Sequence, residues 1–202
     1  MKICPLFLVL CLSIFLTACE RNFDELMAKA HQAFEEKNHT VVIDSLTLAL
    51  PRWKEKNGNE KKAEAYELLG KSYHALKKPD QAADAFKVAV KLSDKSYESA
   101  YLLGLIYTTS SQHKHAQEAF QNALRMRNEA PLALLGLGDS LFAQGKYEEA
   151  RTLYRKVIAV SPGVPEALNN LDLTSKKLAV RKQKPLSPSR SRGTIKIMRK
   201  KR

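Results

Sequence analysis

Three consecutive stretches of the sequence align without a gap at a period of 34 residues. They are "AEAYELLGKSYHALKKPDQAADAFKVAVKLSDKS" (63–96), "YESAYLLGLIYTTSSQHKHAQEAFQNALRMRNEA" (97–130) and "PLALLGLGDSLFAQGKYEEARTLYRKVIAVSPGV" (131–164). Each stretch holds two amphipathic segments with helical spacing, separated by a short turn. Helices of about 13 residues are marginal alone in water, so they must be stabilised by their neighbours. The period therefore predicts a stacked array of helix pairs.

Large and small side chains recur at fixed positions of this period. Each stretch has a Leu-Gly pair, a large residue three places after the glycine, and an alanine followed four places later by an aromatic residue. The positions are Leu69-Gly70, Tyr73, Ala82 and Phe86; Leu103-Gly104, Tyr107, Ala116 and Phe120; and Leu137-Gly138, Leu141, Ala150 and Tyr154. Gly and Ala at such positions predict close approach of two helices, and the large residues fill the space beside them.

The pattern resembles the tetratricopeptide repeat (TPR), whose signature is W-x2-L-G-x2-Y followed by A-x3-F. The resemblance implies an all-α fold, a right-handed TPR solenoid of antiparallel helix pairs. The first helix of each pair would line the concave side, where members of the family mostly bind peptides or proteins.

The ends of the array are predicted from weaker matches. Residues 23–56 read as a degenerate amino-terminal repeat in which Lys29 stands where Leu is expected, and "NGNEKK" (57–62) adds six residues to the loop that follows. Pro165 opens a capping helix over 165–183, in which Ala167, Leu168 and Leu171 are expected to cover the last repeat. The predicted TPR domain is therefore 23–183, with repeats at 23–56, 63–96, 97–130 and 131–164.

The first segment, 1–18, has the order of a secretory signal peptide. Lys2 gives a positive start, 3–16 is almost wholly apolar, and small residues precede Cys19. The end, Leu-Thr-Ala-Cys, resembles the lipobox of bacterial lipoproteins, which implies that Cys19 is the lipid attachment site and that 19–22 links it to the repeats. An ordinary signal peptide cut near Ala18 and a retained signal anchor are the alternatives. An apolar run of this length is shorter than the roughly 20 residues that a spanning helix needs.

Cysteine usage agrees with a lipid anchor. The chain has 3 cysteines, of which Cys4 and Cys11 lie in the segment to be removed, so the mature chain has no possible internal disulfide. The predicted location is the bacterial cell envelope. The membrane is expected to be the outer one, on its periplasmic side, because Glu20 rather than Asp follows the cysteine.

The net charge of +13 belongs to the tail. Residues 173–202 carry twelve Lys or Arg and no acid, and Lys2 adds one base, which leaves 21 bases against the 21 acids of 19–172. The tail, 184–202, contains Pro185 and Pro188 and is predicted to be disordered and basic. Export argues against a nucleic-acid partner, so the predicted target of the tail is anionic envelope material; a solvating tail with no fixed partner is the alternative.

The resemblance also implies which side chains face the concave groove. Carried over by repeat position, the predicted protein-binding residues are Lys71, Tyr101, Leu105, Leu135, Asp139 and Phe142. The groove would be mixed, with an apolar floor and charge at its edge, which suits an amphipathic segment or an extended peptide. The Lys, Asn and Arg pattern with which some relatives clamp acidic chaperone tails is absent. Alternatively, these residues pack against the next helix, or the chain's own end fills the groove.

No motif indicates catalysis. His113 and His115 flank Lys114 in a predicted turn without Cys or carboxylate at ligand spacing, and Gly136 and Gly138 lie inside a helix rather than after a strand. We expect no enzyme activity, no metal and no cofactor.

The sequence therefore predicts a membrane-anchored envelope lipoprotein that acts as a TPR scaffold in assembly of an envelope complex. Its partners would be envelope proteins or peptides on the concave face, and the membrane through lipidated Cys19. The alternative function is an envelope-binding module whose basic tail grips anionic polymer or lipid, with the repeats as a spacer.

Overall fold

The computed structural model describes residues 23–53 and 58–183, and every regular element in these ranges is a helix. The predicted signal peptide, Cys19 and the basic tail 184–202 lie outside the described residues. The helices are α1 (23–35), α2 (His39–Ala49), a 3₁₀ turn (Leu50–Arg52), α3 (Asn59–Ala75), α4 (Pro79–Leu92), α5 (Tyr97–Thr109), α6 (His113–Met126), α7 (Pro131–Ala143), α8 (Tyr147–Val160) and α9 (Pro165–Gln183). The predicted all-α class is confirmed.

The helices stack in chain order as antiparallel pairs. Helix α3 packs on α4, α5 on α6 and α7 on α8, and each second helix also packs on the first helix of the next pair. Helix α5 additionally approaches α7, and α7 approaches α9, whereas no comparable approach joins α4 to α6 or α6 to α8 in the described part of the chain. The array therefore curves, with the first helices on its concave side and the second helices on its convex side.

Glycines allow the two helices of a pair to touch. A Cβ built on Gly70, Gly104 or Gly138 would lie 2.6–2.7 Å from a ring carbon of the second helix. The rings are those of Phe86, Phe120 and Tyr154, each of which is fully buried. At each Leu-Gly pair the aromatic ring of the second helix lies where the Cβ of a larger residue would be. The predicted close approach of the two helices is confirmed.

The turn inside each pair has one geometry. Lys37, Lys77, Ser111 and Gly145 occupy the same repeat position and have φ angles of 57°, 56°, 57° and 76°. The amide of the following residue donates to the carbonyl five places before it, at 2.8–2.9 Å in all four turns. This closure satisfies a carbonyl at the end of the first helix and turns the chain back.

Two predictions about the ends of the array are wrong. Residues 59–62, predicted as loop, form the first turn of α3, where Glu60 suits the helix amino terminus and accepts a 2.6 Å bond from Lys95. Leu168, predicted to cover the last repeat, is 51% exposed. In the earlier repeats, the residue at this position packs against the second helix of its own repeat. No described helix follows α9, so Leu168 has no such helix to pack against. Thr174 and Leu178 are buried instead, together with Ala167.

Within the two described ranges, none of the helices is both long enough and apolar enough to cross a membrane.

Candidate functional site

All six predicted groove residues lie half-buried on first helices. Helix α3 carries Lys71, α5 carries Tyr101 and Leu105, and α7 carries Leu135, Asp139 and Phe142. Their positions follow from the helical repeat, which brings every third or fourth residue to one face. Partner binding by these residues stays a prediction. Each side chain is packed on one side and exposed on the other, so the six residues form part of the surface.

The centre of this surface is apolar. Tyr101, Leu105, Leu135 and Phe142 pack against one buried cluster that contains Phe120. We call these four side chains the apolar floor. They come from two successive repeats, so the floor exists only because α5 and α7 approach each other. Half-buried apolar side chains gathered on one face are typical of a surface that binds another chain.

Two further residues support the floor at Tyr101. Its ring stacks on that of Tyr97, with 6.2 Å between centroids and planes 5° apart, and the Arg127 guanidinium lies 4.2 Å from the Tyr97 centroid. Burial raises the pKa of the Tyr101 hydroxyl. Tyr97 and Arg127 were not predicted from the sequence. The four-residue spacing of Tyr97 and Tyr101 was a usable signal for the stack, whereas Arg127 belongs to the next inter-repeat loop.

Beside the floor, Lys71 lies between two carboxylates. Its ammonium group donates to Glu67 on the same helix at 2.9 Å and to Glu98 on α5 at 2.8 Å. The second oxygen of Glu67 accepts a 2.8 Å bond from Ser99. Burial, the largest single influence, lowers the pKa of Lys71, but the bonds to Glu98 and Glu67 together outweigh it and the pKa is raised. Lys71 therefore stays charged and ties α3 to α5.

Asp139 joins the last three helices. Its Oδ1 accepts 2.8 Å bonds from the Tyr154 hydroxyl on α8 and from the Asn170 amide on α9. Burial raises the pKa of Asp139 more than these two bonds lower it. The pKa of Tyr154 is also raised, mainly by its own burial and then by the adjacent carboxylate. Asp139 thus has a structural task in addition to its predicted place in the groove.

Acids outnumber bases along this face. Glu64, Glu67 and Glu98 lie at its α3–α5 end, where Lys71 is the single Lys or Arg among the groove positions of those described helices. We call these three residues the acidic edge. Glu64 also approaches His31 of α1, at 3.3 Å. The groove therefore presents an apolar floor next to a negative edge, a combination that favours a partner with apolar and basic side chains.

The histidines considered as metal ligands lie elsewhere. His113 begins α6, and the ring of His115 lies 5.2 Å from that of Tyr107 on the convex side. In the described part of the chain, no group of three or more His, Cys, Asp or Glu is placed to hold a metal ion.

Family models match most of the array. Residues 63–96 and 101–165 match models of the tetratricopeptide repeat. These two segments are similar to tetratricopeptide repeats. The TPR is typically a non-catalytic scaffold for protein interaction. No curated protein matches the sequence.

Solved TPR structures share the fold. A crystal structure of the MamA protein superposes with a TM-score of 0.70 at 21% identity, covering 81% of this chain and 86% of that one. The first TPR of Spaghetti (RPAP3), bound to the HSP90 peptide SRMEEVD, gives 0.57 at 23% identity, covering 61% and 98%. The Arabidopsis OM64 TPR domain gives 0.55 at 18% identity, covering 59% and 98%. At these identities the likeness concerns the fold, and it confirms the TPR solenoid.

Proposed function

We propose that this chain is a lipid-anchored protein of the bacterial envelope whose TPR array docks a segment of another protein. The docking would serve assembly of an envelope complex such as a pilus, secretion or outer-membrane biogenesis machine. The observation that carries the docking proposal is the apolar floor, which runs across two repeats and borders the acidic edge.

The partner segment has a definable chemistry. Its apolar side chains would cover Tyr101, Leu105, Leu135 and Phe142, and a basic residue would face the acidic edge. The HSP90 peptide SRMEEVD, seen on the first TPR of Spaghetti (RPAP3), ends in acids. An acidic end of that kind would meet Glu67 and Glu98 here, so we propose a different class of peptide for this groove.

The anchor is proposed from the sequence. Cys19 follows an apolar segment and small residues, and its thiol would carry the lipid after cleavage of 1–18. More than one acyl chain is needed for firm attachment, because a single chain binds membranes only marginally. The outer membrane, on its periplasmic side, is the proposed location.

The groove is tested by crosslinking in the native cell. The variant Leu135→Glu with Phe142→Glu places two charges on the apolar floor, and we expect it to lose the partner bands that wild type forms. The matched control is Leu48→Glu with Val160→Glu, since both leucine and valine there are exposed side chains of second helices. Equal helicity of both variants by circular dichroism shows that they fold. If the groove variant keeps every partner, the docking proposal is wrong.

The anchor has a separate test. Cys19→Ser is expected to abolish incorporation of labelled fatty acid and to leave the precursor uncleaved. Normal mature protein from this variant would overturn the lipoprotein proposal and would leave the groove proposal standing.

The basic tail supports a second candidate function. Residues 184–202 hold eight Lys or Arg and no acid, which favours attraction to anionic polymer or lipid. Deletion of 184–202 separates the two functions. If partner bands persist while sedimentation with lipopolysaccharide is lost, the groove docks proteins and the tail binds the envelope. If partner bands vanish while envelope binding persists, the tail-centred function is wrong.

A further inference from the structure

The end of the basic tail has the chemistry that the concave groove favours. The last residues, "GTIKIMRKKR" (193–202), carry five Lys or Arg and no acid. We call this stretch the terminal segment. Its apolar side chains, Ile195, Ile197 and Met198, come before the cluster of bases at 199–202. The groove has an apolar floor and an acidic edge, so the two halves of the segment correspond to the two parts of the groove.

The acidic edge keeps a negative charge after its ion pairs are counted. Lys71 is one ammonium group between the carboxylates of Glu67 and Glu98, at 2.9 Å and 2.8 Å. Glu64 faces His31, which is charged only if protonated. Three carboxylates against one ammonium group leave two negative charges. The side chains of Glu64 and Glu98 are 53% and 57% exposed, so a cationic ligand can approach them from solvent.

The helices under the floor carry no base. Each of α5 and α7 holds a single charged residue, which is an acid in both cases, Glu98 and Asp139. By contrast, 176–183 at the end of α9 carries four Lys or Arg and no acid. Electrostatic repulsion therefore disfavours contact between the tail and the end of α9, whereas neither α5 nor α7 has a cation to repel it.

The parts of the groove follow one another in the same order as the parts of the tail. The tail begins after Gln183 at the end of α9, and the first helices that follow on the concave side are α7, then α5, then α3. A chain that runs along this side from α9 meets the apolar floor before the acidic edge. In the terminal segment, the apolar residues likewise come before the four bases at 199–202.

The tail is long enough for this path. Packed helices lie about 8–10 Å apart, so α3 is roughly 30 Å across the array from α9. The acidic edge lies near the start of α3 and α5, which adds about 20 Å along the helix direction at 1.5 Å per residue. The direct path is therefore roughly 40 Å. Extended chain from 184 reaches about 30 Å at 192 and about 60 Å at 202, so the terminal segment can lie at the edge.

We propose that the terminal segment occupies the concave groove of its own chain, with its apolar side chains on the floor and its bases at the acidic edge. The segment is then an internal competitor that a docking partner must displace. This regulation rests on the proposed function, in which a partner binds the same groove.

Tethering makes a weak interaction sufficient. A short flexible linker gives an effective concentration on the order of 1 mM, so a segment with a Kd of about 0.1 mM fills roughly nine-tenths of the grooves. A separate partner then meets about one free groove in ten. Its apparent affinity is lowered about tenfold until the segment is released.

The first test compares two full chains of equal charge. The serine-tail variant carries Ile195→Ser, Ile197→Ser and Met198→Ser, which remove the apolar side chains and keep every base. Both chains are placed in nanodiscs of neutral phosphatidylcholine, and a fluorescein-labelled peptide of sequence 193–202 is titrated by fluorescence anisotropy. We expect the peptide to bind the serine-tail variant about tenfold more tightly than wild type, because its groove is free. Equal affinities, or no binding to either chain, would overturn the proposal.

The acidic edge is tested in the serine-tail background. Glu64→Gln with Glu98→Gln is expected to weaken peptide binding about tenfold, because it removes the two exposed carboxylates of the edge. The matched control is Glu118→Gln with Glu149→Gln, which makes the same change of net charge at exposed sites on second helices. Equal circular dichroism of the two double variants shows that both fold. If they bind the peptide equally, the edge does not select the segment and the proposal is wrong.

Carbodiimide crosslinking locates the tail in the unmodified chain. The reagent joins a carboxylate to a lysine amine in contact with it, with net loss of water. We expect mass spectrometry to find Lys200 and Lys201 joined to Glu64 or Glu98. In a mixture of ¹⁵N-labelled and unlabelled chains, these crosslinks should join peptides of the same isotope. Crosslinks between isotopes would show that the tail of a second copy fills the groove, and crosslinks to second helices alone would place the tail elsewhere. Either result overturns the proposal.

The inference and the proposed function fail separately. The serine-tail variant is expected to form stronger partner bands than wild type in the native cell. If no tail-to-groove crosslink forms and Leu135→Glu with Phe142→Glu still loses the partner bands, the tail inference is wrong and the docking proposal stands. If the tail crosslinks to the groove and the Leu135→Glu, Phe142→Glu variant keeps every partner band, the docking proposal is wrong and the tail inference stands.

Discussion

The hydroxyl of Tyr154 donates a 2.8 Å hydrogen bond to Oδ1 of Asp139, and Asn170 donates to the same oxygen from the following helix. One carboxylate thereby holds α7, α8 and α9 together at the end of the array. The hydrogen bonds contribute more to stability than the negative charge does, because burial raises the pKa of Asp139 although both donors lower it. The carboxylate is thus a good acceptor in a place that penalises its ionisation.

Asp139→Asn is therefore expected to be at least as stable as wild type at pH 7, since the amide oxygen accepts from the same two donors. Asp139→Ala is expected to lose about 1–3 kcal/mol, because it orphans both donors. Urea denaturation followed by circular dichroism measures the two free energies of unfolding. Equal losses in the two variants would show that the charge is required.

The pH dependence has a definite sign. The raised pKa of Asp139 means that the folded state binds a proton more readily than the unfolded state. The stability that this proton adds is complete below the ordinary pKa of 3.8 and is lost as pH rises through the folded pKa. The stability advantage of Asp139→Asn over wild type should accordingly grow from pH 4 to pH 7. An advantage that shrinks over this range would contradict the assignment.

Gly136 lies under the ring of Phe120 from the preceding repeat, where a Cβ would come within 2.5 Å of a ring carbon. Gly136→Ala is expected to cost about 1–2 kcal/mol net, because overpacking outweighs the gain in helix propensity. Gly163→Ala is the control, since a Cβ there meets nothing within 4 Å. Combining Gly136→Ala with Phe120→Leu should cost less than the sum of the two single changes. Additive losses would show that the ring and the added methyl group do not clash.

Lys71→Met should lower the free energy of unfolding by about 1–2 kcal/mol, because it leaves Glu67 and Glu98 without the cation between them. Glu67→Gln in the same background should restore part of the loss, and a double-mutant cycle measures the coupling. The pKa of Lys71 is raised above 10.5, so its contribution is complete below that pH and is lost as pH rises through the folded value. A coupling of zero would mean that solvent screens the pair.

The left-handed turn residues offer a matched pair of changes. Ser111→Gly is expected to stabilise the array by about 0.5–1 kcal/mol, because only glycine takes a positive φ without steric cost. Gly145→Ala is expected to destabilise it by a similar amount for backbone reasons alone, since nothing lies within 4 Å of the added methyl group. Thermal melts measure both. Shifts of the same sign would contradict the shared turn geometry.

The repeat period accounts for most of the fold. Residue spacing alone predicted the helix pairs, the close approach of two helices at Gly70, Gly104 and Gly138, and the turns around Pro79 and Gly145. It failed at 59–62, because a segment outside the period was assumed to be loop, although nothing in Asn-Glu-Lys-Lys prevents a helix. It failed again at Leu168, whose burial requires a helix that does not follow in the described chain.

The sequence could predict the concave positions but not all of the contacts that they make. The concave positions follow from a fixed count within each repeat, so their placement on first helices was predictable. The partner of Asp139 was not, because Asn170 is separated from it by a whole repeat.

The substantial contacts of every helix are with the helices next to it or one pair further along. In such an array each repeat is coupled only to its neighbours, so a local perturbation spreads from one repeat to the next. Among the described helices, α9 has packed neighbours on one side, whereas α5 and α6 have them on both. Amide hydrogens should therefore exchange fastest in α9 and slowest in α5 and α6. The basic tail therefore follows, in sequence, the helix that is expected to open first, whereas the apolar floor includes α5, which is expected to open last.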